Sequence, residues 1–356
     1  MSKKATRIKS NSLASQVKHK SKKKVKDVIK EEPEYSANPN DYVSTGSTLL
    51  DLAISGGVIK GGGIRSGITV VAYGPSGGGK TALACEVAGN ILRKGGEIKY
   101  RDGEGRLDPI FATNFGIDIN DVDLKKTRTI STTFADINTW EPDTSRINGY
   151  IIDSLASLST EMELESEDKM GMRRAKEFST EFRKCTVPVG ENNIILFCTN
   201  QIRENADAGK YQRKDINPGG KAIEFYASLI LRFSSIKKIK KEFKFGKKVK
   251  KETIGMEAVI EVDKSSIWKP HKSAPIIIYF DYGIDDIRAN LQYVKDYTGD
   301  SWYQIKDEKL SNSLDKAVEM VEEQGLEKKL KKQVIKIWEE YEEKTTIKRK
   351  DKIREL

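Results

Sequence analysis

The chain has 356 residues, a third of them charged, and a formal net charge of +10. It contains no apolar run near the ~18 residues that a membrane-spanning helix requires, and its lysine-rich beginning lacks the apolar segment of a secretory signal. Three scattered cysteines and two histidines argue against disulfides, a zinc site and histidine chemistry. We therefore expect a soluble protein of a reducing cytoplasm, with no membrane partner and with Cys85, Cys185 and Cys198 as buried thiols.

The net charge is concentrated at the beginning of the chain. Residues 1–30 carry eleven Lys and Arg against a single acid, Asp27, so the remaining chain is balanced. Residues 1–40 are predicted to be a basic arm and linker, low in apolar content. Two interpretations stay open for the arm: a solubility tail, or a segment that binds nucleic acid or a partner.

The rest of the chain alternates strands and helices. Residues 44–54 have helical apolar spacing after a serine, and apolar runs predict strands at 68–73, 97–102, 149–153, 193–199, 229–233, 258–262 and 276–280. This order predicts an α/β core over residues 41–285, with a mostly parallel, doubly wound sheet that binds ligands at the carboxyl ends of its strands. Residues 286–356 are helical and charge-rich, and we expect them to form a small α+β C-terminal domain.

A glycine-rich motif follows the first strand of the core. GPSGGGKT matches G-x-x-x-x-G-K-[ST] and lies where a strand passes into a helix. Glycines allow peptide N–H groups to close around a phosphate, a lysine adds charge, and a Thr hydroxyl suits Mg²⁺. The predicted nucleoside-triphosphate residues are Gly74, Pro75, Ser76, Gly77, Gly78, Gly79, Lys80, Thr81 and Ala82. The prediction is a P-loop NTPase that uses ATP and Mg²⁺.

Three polar residues lie at or just beyond the ends of other predicted strands. Asp153 ends an apolar strand where P-loop enzymes hold Mg²⁺, since a buried strand rarely ends on an acid without a partner. Glu104 is a candidate general base for the attacking water, and an ordinary loop carboxylate is the alternative. The side-chain amide of Gln201 can hydrogen-bond a γ-phosphate. Gain or loss of this bond on ATP hydrolysis would fix or release the loop that follows Gln201.

Together these motifs resemble the RecA family of homologous-recombination ATPases, in its bacterial RecA and phage UvsX-like branches. The matching segments, in family order from about residue 44 to residue 284, are STGSTLLDLAISGGVIKGG, YGPSGGGKT, DGEGRLDPIFATNFGID, IIDSLASL, TNQIR and PGGKAIEFYASLILR. The last two are more specific than the P-loop, because P-loop helicases and kinases lack them. The resemblance implies a RecA-like core that forms helical filaments on single-stranded DNA and pairs it with homologous duplex DNA.

The resemblance also implies roles for individual residues. Lys80, Glu104 and Gln201 are the expected catalytic group, and Thr81 and Asp153 the Mg²⁺ residues. Asp108 lies where family members have an acid near the nucleotide base, and Lys264 matches a cation that reaches the neighbouring protomer's ATP. The family's second cation corresponds to Ser266 here. Two alternatives therefore stay open: Lys264 alone reaches the neighbouring protomer's ATP, or Lys269 takes the place of the second cation.

Two segments are expected to face DNA, at about residues 159–174 and 202–218. They and their borders supply the predicted DNA-binding residues Arg173, Arg174, Lys176, Arg203, Lys210, Tyr211, Arg213, Lys214, Gly219 and Gly220. Tyr211 can stack on bases, with a surface tyrosine as the alternative. The family's pattern also implies that Lys176, Ser179 and Arg183 face DNA from a helix. The first segment here has one residue more than the family pattern, which shifts the alignment of these positions.

Two further segments keep two interpretations each. The lysine-rich run 237–252, with a hairpin turn expected near Gly246, is interpreted as a solvated edge, and capture of duplex DNA is the alternative. For the C-terminal domain the resemblance implies duplex docking, and helix packing alone is the other possibility.

Three functions are compatible with the sequence of the whole chain. The favoured one is a DNA-dependent ATPase that forms filaments and exchanges strands in recombination and repair, with single-strand-binding and loader proteins as candidate partners. A helicase or translocase on the same core is one alternative, and a mediator paralogue with weak ATPase activity is the other. The intact set of Lys80, Glu104, Asp153 and Gln201 argues against the mediator.

Overall fold

The computed structural model describes residues 41–165, 171–204, 215–216 and 221–349. Its strands are β1 (Tyr42–Val43), β2 (Ile64–Arg65), β3 (Ile68–Gly74), β4 (Ile98–Asp102), β5 (Asp123–Lys126), β6 (Asn148–Asp153), β7 (Ile194–Gln201), β8 (Arg203–Glu204), β9 (Asp215–Ile216), β10 (Leu229–Phe245), β11 (Lys248–Ser265), β12 (Ser273–Tyr279), β13 (Gly283–Ile284), β14 (Tyr303–Ile305) and β15 (Glu308–Ser311). Its α-helices are α1 (Thr48–Ser55), α2 (Lys80–Arg93), α3 (Pro109–Thr113), α4 (Ile130–Asn138), α5 (Glu161–Glu165), α6 (Gly171–Glu191), α7 (Lys221–Tyr226), α8 (Asp286–Thr298), α9 (Leu314–Glu323) and α10 (Glu327–Thr345).

A nine-stranded sheet organises the described chain. Its order is β13-β12-β11-β10-β3-β7-β6-β4-β5. The six strands from β10 to β5 are parallel to their neighbours, while β11, β12 and β13 add an antiparallel extension. The carboxyl ends of the parallel strands therefore meet at one edge, where β3 passes into the glycine-rich loop.

Helices cover both faces of this sheet. One hydrophobic cluster packs α1, α2 and the helices after residue 286 on one face, and Leu83, Phe197 and Trp338 belong to it. The second cluster packs α4 and α6 on the opposite face through residues such as Phe134 and Phe182. The predicted α/β fold with a mostly parallel, doubly wound sheet is confirmed, as are the buried thiols Cys85, Cys185 and Cys198.

Local sequence explains where α1 begins. Gly46 has a φ of +82°, and the Ser47 hydroxyl oxygen accepts a hydrogen bond from the N–H of Leu50. Ser47 is thus the N-cap, and the helix begins at Thr48, within the predicted segment 44–54. The Thr48 N–H and hydroxyl both donate to Asp286, which ties α1 to the beginning of α8.

Strands β10 and β11 are much longer than the apolar runs that predicted them, because their polar halves pair with each other and turn at Gly246, whose φ is +64°. The described residues from 41 onward form one compact unit, and the hydrophobic cluster continues across residue 286. The separate C-terminal domain 286–356 stays a prediction, as does the arm 1–40, which lies outside the described residues. Among the described helices, none is long and apolar enough to span a membrane.

Candidate nucleotide site and DNA-facing segments

The glycine-rich loop ends β3 and begins α2, as the sequence predicted. Gly77 and Gly79 have φ values of +70° and +93°, and a Cβ on Gly79 would lie 2.6 Å from Cδ1 of Ile278. The positive φ therefore favours glycine at Gly79, and a Cβ there would also displace the end of the Ile278 side chain. Successive N–H groups of such a loop form an anion-binding concavity, and α2 directs its N-terminal end at it.

The Lys80 side chain lies inside this loop. Its ammonium donates to the carbonyl oxygens of Gly74 at 3.0 Å and Pro75 at 2.7 Å, and the residue is only 8% exposed. Burial lowers the pKa of the Lys80 ammonium below its ordinary value, and the negative charges of Asp153 and Glu104 partly oppose this shift. An anion in the loop would stabilise the charged form of this buried amine.

The strand ends bring further polar groups to the same place. The loop and these groups border an open cavity of about 220 Å³. It is lined by Ser76, Gly77, Gly78, Gly79, Lys80, Thr81, Ala82, Glu104, Phe111, Asp153, Ser154, Thr199, Gln201, Met256, Ile278 and Phe280. The structure therefore brings together the five residues predicted to act on the triphosphate: Lys80, Thr81, Glu104, Asp153 and Gln201.

Three hydroxyl groups hold the Asp153 carboxylate. The Thr81 and Tyr100 hydroxyls each donate to its Oδ2 at 2.9 Å, and the Thr199 hydroxyl donates to Oδ1. Burial raises the pKa of Tyr100 well above its ordinary value, so this phenol stays a donor. Tyr100 and Thr199 orient Asp153 and lie on strands that flank it, a role that the sequence did not reveal.

The turn after β4 holds Glu104 at the cavity. The Asp102 carboxylate accepts the N–H groups of Glu104, Gly105 and Leu107 at 3.0, 2.7 and 2.9 Å. The Glu104 carboxylate in turn accepts the Ser154 hydroxyl at 3.1 Å and the Gln201 amide at 2.9 Å, both on Oε1. Glu104 and Gln201, which are 97 positions apart in the sequence, are thus joined by a direct hydrogen bond.

The chain is similar to known proteins of one family. Residues 11–285 match the family model described as "RecA N-terminal domain". The chain belongs to the RecA family. The chain is 31% identical to the protein named RecA of Thermus thermophilus over 290 residues, which cover 80% of this chain and 81% of that protein. It is 29% identical to RecA of Acholeplasma laidlawii over 305 residues, covering 82% and 87% of the two chains. RecA of Campylobacter hominis is 30% identical over 284 residues, covering 78% and 77%.

Membership in the RecA family makes this chain an ATP- and DNA-binding protein of homologous recombination. The nucleotide residues expected from the family are not all at the cavity. Asp108 is exposed and caps α3 by accepting the N–H of Phe111 at 2.8 Å, and it is Phe111 that lines the cavity. Lys264 lies near the end of β11 and donates to the carbonyl oxygens of Glu224 at 2.7 Å and Phe225 at 3.1 Å.

An apolar wall of the cavity was missed in the sequence. Phe111, Met256, Ile278 and Phe280 line the cavity together with the polar groups. Three of them come from β11, β12 and the residue after β12, far from the P-loop in sequence. Their position depends on the strand order, so no local signal could identify them, whereas Phe111 lies within the quoted segment DGEGRLDPIFATNFGID.

The first DNA-facing segment is more helical than expected. It contains α5 and the beginning of α6, so that Arg173 and Arg174 lie in the first turn of α6. Arg174 donates to the carbonyl oxygens of Leu155 and Ala156, each at 2.8 Å, and its guanidinium lies over the ring of Phe178. Arg174 therefore joins α6 to the turn that follows Asp153, while Arg173 and Lys176 are exposed.

The second segment begins directly after Gln201. Strand β8 pairs antiparallel with β9, with Arg203 opposite Ile216 and Glu204 opposite Asp215. The backbone of Arg203 is thus at the base of a hairpin that starts two residues after Gln201. The predicted residues Lys210, Tyr211, Arg213, Lys214, Gly219 and Gly220 lie outside the described residues.

Proposed function

We propose that this chain is an ATP-hydrolysing recombinase that forms helical filaments on single-stranded DNA and catalyses homologous pairing and strand exchange. The observation that carries the proposal is the hydrogen bond from Gln201 Nε2 to Glu104 Oε1, at 2.9 Å. It connects a carboxylate at the nucleotide cavity to the strand that leads into a proposed DNA-binding hairpin. Such a contact allows the state of the nucleotide and the order of the DNA segment to depend on each other.

In this proposal the P-loop binds the triphosphate of ATP. Lys80 exchanges its carbonyl partners for the β- and γ-phosphate oxygens, and the loop N–H groups bind the remaining oxygens. The apolar wall, with Phe111 held in place by the Asp108 cap, receives the base. The cavity lining combines charged groups with apolar and aromatic side chains, and a nucleotide offers partners for both.

The residues present also fit Mg²⁺. The described residues contain no cluster of three His, Cys, Asp or Glu side chains that could hold a metal unaided. Thr81 and Asp153 offer oxygen ligands 2.9 Å apart, and Mg²⁺ is commonly held by few protein oxygens together with substrate phosphates. When bound, the ion would neutralise charge on the phosphate oxygens.

Glu104 is proposed as the general base for the attacking water. Its Oε1 already accepts bonds from Ser154 and Gln201, which orient the carboxylate towards the cavity. When Gln201 turns its amide to the γ-phosphate, it releases Glu104 to accept a proton from water. The same movement of Gln201 shifts the beginning of β8 and hence the second DNA segment.

We propose that both DNA segments contact phosphates from the inner side of a filament. The exposed cations Arg173 and Lys176 on α6 contact the phosphates together with the cations of the second segment. The DNA sequence is then recognised by base pairing between the two DNA molecules rather than by protein side chains. Lys264 is proposed to reach the nucleotide of a neighbouring protomer. Beside it Phe225 is 75% exposed, which offers apolar surface for that contact. Lys269 is less suited, because it is ion-paired with Glu342 at 2.9 Å.

The test measures ATP turnover with and without single-stranded DNA, together with joint-molecule formation. The native chain should hydrolyse ATP faster with DNA and form joint molecules, whereas Lys80→Ala should lose both activities. Lys125→Ala, a lysine on edge strand β5 outside the cavity, is the matched control and should behave like the native chain. Turnover indifferent to DNA without joint molecules would overturn the proposal, and so would directional duplex unwinding without pairing.

A further inference from the structure

The distal halves of β10 and β11 extend beyond the sheet. Strand β10 pairs with β3 only over Leu229–Arg232, and β11 pairs with β12 only over Gly255–Glu261. Over residues 237–254, the two strands pair with each other and, among the described residues, with no third strand. We call this segment the basic ribbon, since residues 237–252 contain nine lysines and two glutamates.

The basic ribbon has two faces of equal charge. Residues directly opposite each other share a face, and successive residues alternate between faces. The pairs Lys241–Glu252, Phe243–Lys250 and Phe245–Lys248 therefore form one face, which we call the aromatic face. The pairs Lys240–Thr253, Glu242–Lys251 and Lys244–Val249 form the other, which we call the aliphatic face. Each face carries three lysines and one glutamate, so the faces differ chiefly in the two phenylalanines.

The two phenylalanines are exposed among these lysines. Phe243 is 39% exposed and Phe245 is 64% exposed, and the Lys250 ammonium lies 4.5 Å from the centre of the Phe245 ring. A solvated edge requires lysines but gains nothing from exposed aromatic rings. Two rings on one face, beside three cations, instead indicate a ligand that offers both negative charge and flat apolar surface.

The spacing of the two rings distinguishes between single-stranded and duplex nucleic acid as the ligand. Side chains two residues apart on an antiparallel strand are separated by about 6.8 Å, twice the ~3.4 Å rise per stacked base of DNA. Bases must therefore leave their stack to contact both rings. A duplex keeps its bases stacked inside and offers phosphates alone, for which both faces of the basic ribbon would serve equally.

We propose that the aromatic face of the basic ribbon is a binding site for single-stranded nucleic acid. Phe243 and Phe245 stack against unstacked bases, while Lys241, Lys248 and Lys250 contact the backbone phosphates. None of these five residues lines the nucleotide cavity. Binding at the basic ribbon should therefore not require ATP, unlike the filament contacts of the proposed function.

The experiment uses the full chain without nucleotide and follows the fluorescence anisotropy of a labelled thymidine oligomer and of a duplex of equal length. The variant F243A/F245A should bind the oligomer about a hundredfold more weakly, because it loses two stacking contacts that are each worth about a tenfold change. Its affinity for the duplex should change little. Val249→Ala, which truncates the exposed apolar residue of the aliphatic face, should bind as the native chain does, and F243W/F245W should retain binding.

A matched pair of charge variants tests which face of the basic ribbon binds the oligomer. K241Q/K248Q/K250Q on the aromatic face should weaken oligomer binding more than K240Q/K244Q/K251Q on the aliphatic face, although both remove three charges. Unchanged oligomer binding by F243A/F245A would overturn the proposal. Equal losses from the two triple variants, or equal losses for oligomer and duplex, would show a general charge effect and overturn it as well.

These outcomes are separable from a failure of the proposed function. Any contribution of residues 1–40 or of the other DNA segments is common to all the variants. Lys80→Ala should keep the nucleotide-free binding and its dependence on Phe243 and Phe245, although it loses turnover. If the native chain formed no joint molecules, the difference between the two faces would still be measurable.

Discussion

Strand β10 passes through two environments that explain much of this protein. Its first residues lie in the sheet beside the P-loop strand, where Leu229, Leu231 and Phe233 are at most 2% exposed. Its last residues lie in the basic ribbon, where Phe243 and Phe245 face solvent. The same strand thus supports a nucleotide site at one end and offers an exposed surface at the other.

The two ends also differ in how their polar groups are held. At the nucleotide cavity, the Asp153 carboxylate accepts three hydroxyl groups and Glu104 is bonded to two further side chains. In the basic ribbon, Glu242 and Lys251 form an ion pair with both side chains more than half exposed, which contributes little to stability. Oriented groups suit chemistry, whereas solvated cations suit a ligand that is bound mainly through its charge.

The largest expected effect lies at the cavity. Glu104→Gln should lower ATP turnover by about 10²–10⁴-fold, because an amide cannot accept a proton from water, while ATP and DNA binding are retained. Single-turnover kinetics measure the hydrolysis step, and binding of a fluorescent nucleotide measures the affinity for ATP separately. The control Arg106→Gln, whose partner in the ion pair is Glu104 but whose side chain is 81% exposed, should change turnover by no more than about threefold. Undiminished hydrolysis by Glu104→Gln would remove it from this role.

Two phenylalanines of β10 sharpen the contrast in stability. Phe233→Ala should lower the free energy of unfolding by about 3–5 kcal/mol, because it opens a cavity in a core where the residue is 2% exposed. Phe245→Ala, on the same strand but 64% exposed, should change it by less than about 0.5 kcal/mol. Urea unfolding of both variants measures the difference, and similar losses would contradict the assigned environments.

A buried carboxylate near the P-loop helix should make stability depend on pH. Burial raises the pKa of Asp51 to about 6 although Ser44 and Thr45 donate to it. Because the folded state binds this proton more tightly than the unfolded state, the contribution is present below pH 4 and lost as pH rises through 6. Relative to Asp51→Asn, the native chain should lose on the order of 3 kcal/mol between pH 4 and pH 7.

Urea titrations at several pH values test this prediction by the difference in slope between the two chains. Glu242→Gln in the basic ribbon is the control, and it should follow the native pH dependence because its carboxylate is more than half exposed. Parallel curves for the native chain and Asp51→Asn would show that Asp51 titrates as an ordinary carboxylate.

The smallest expected effect concerns the apolar wall. Phe111→Ala should weaken nucleotide binding by about fivefold to tenfold, since an aromatic contact is worth about 1 kcal/mol. Its neighbour Ile110 is 77% exposed and does not line the cavity, so Ile110→Ala should bind nucleotide as the native chain does. Competition against a fluorescent nucleotide gives both affinities. Equal affinities for the two variants would place the base elsewhere.

Much of the nucleotide site could be predicted because its signals are local. The P-loop is one continuous strand, turn and helix, and Asp153 and Gln201 each end an apolar run that reads as a buried strand. Glu104 needed the family resemblance, since its place in a loop does not distinguish it from other carboxylates. The segment 44–54 predicted α1, while the structure shows its first residue: Gly46 has a positive φ, Ser47 is the N-cap, and the helix begins at Thr48.

The sequence by itself determined the order of strands and helices, the P-loop and the concentration of lysines, because turn residues, apolar periods and charge act over a few neighbouring positions. Only the tertiary structure decided that Gln201 bonds Glu104, that Met256, Ile278 and Phe280 line the cavity, and that the basic ribbon has an aromatic face. Each of these depends on strand order and register, where a shift of one residue moves every side chain to the opposite face. Such pairings join distant segments through the packing of the whole sheet.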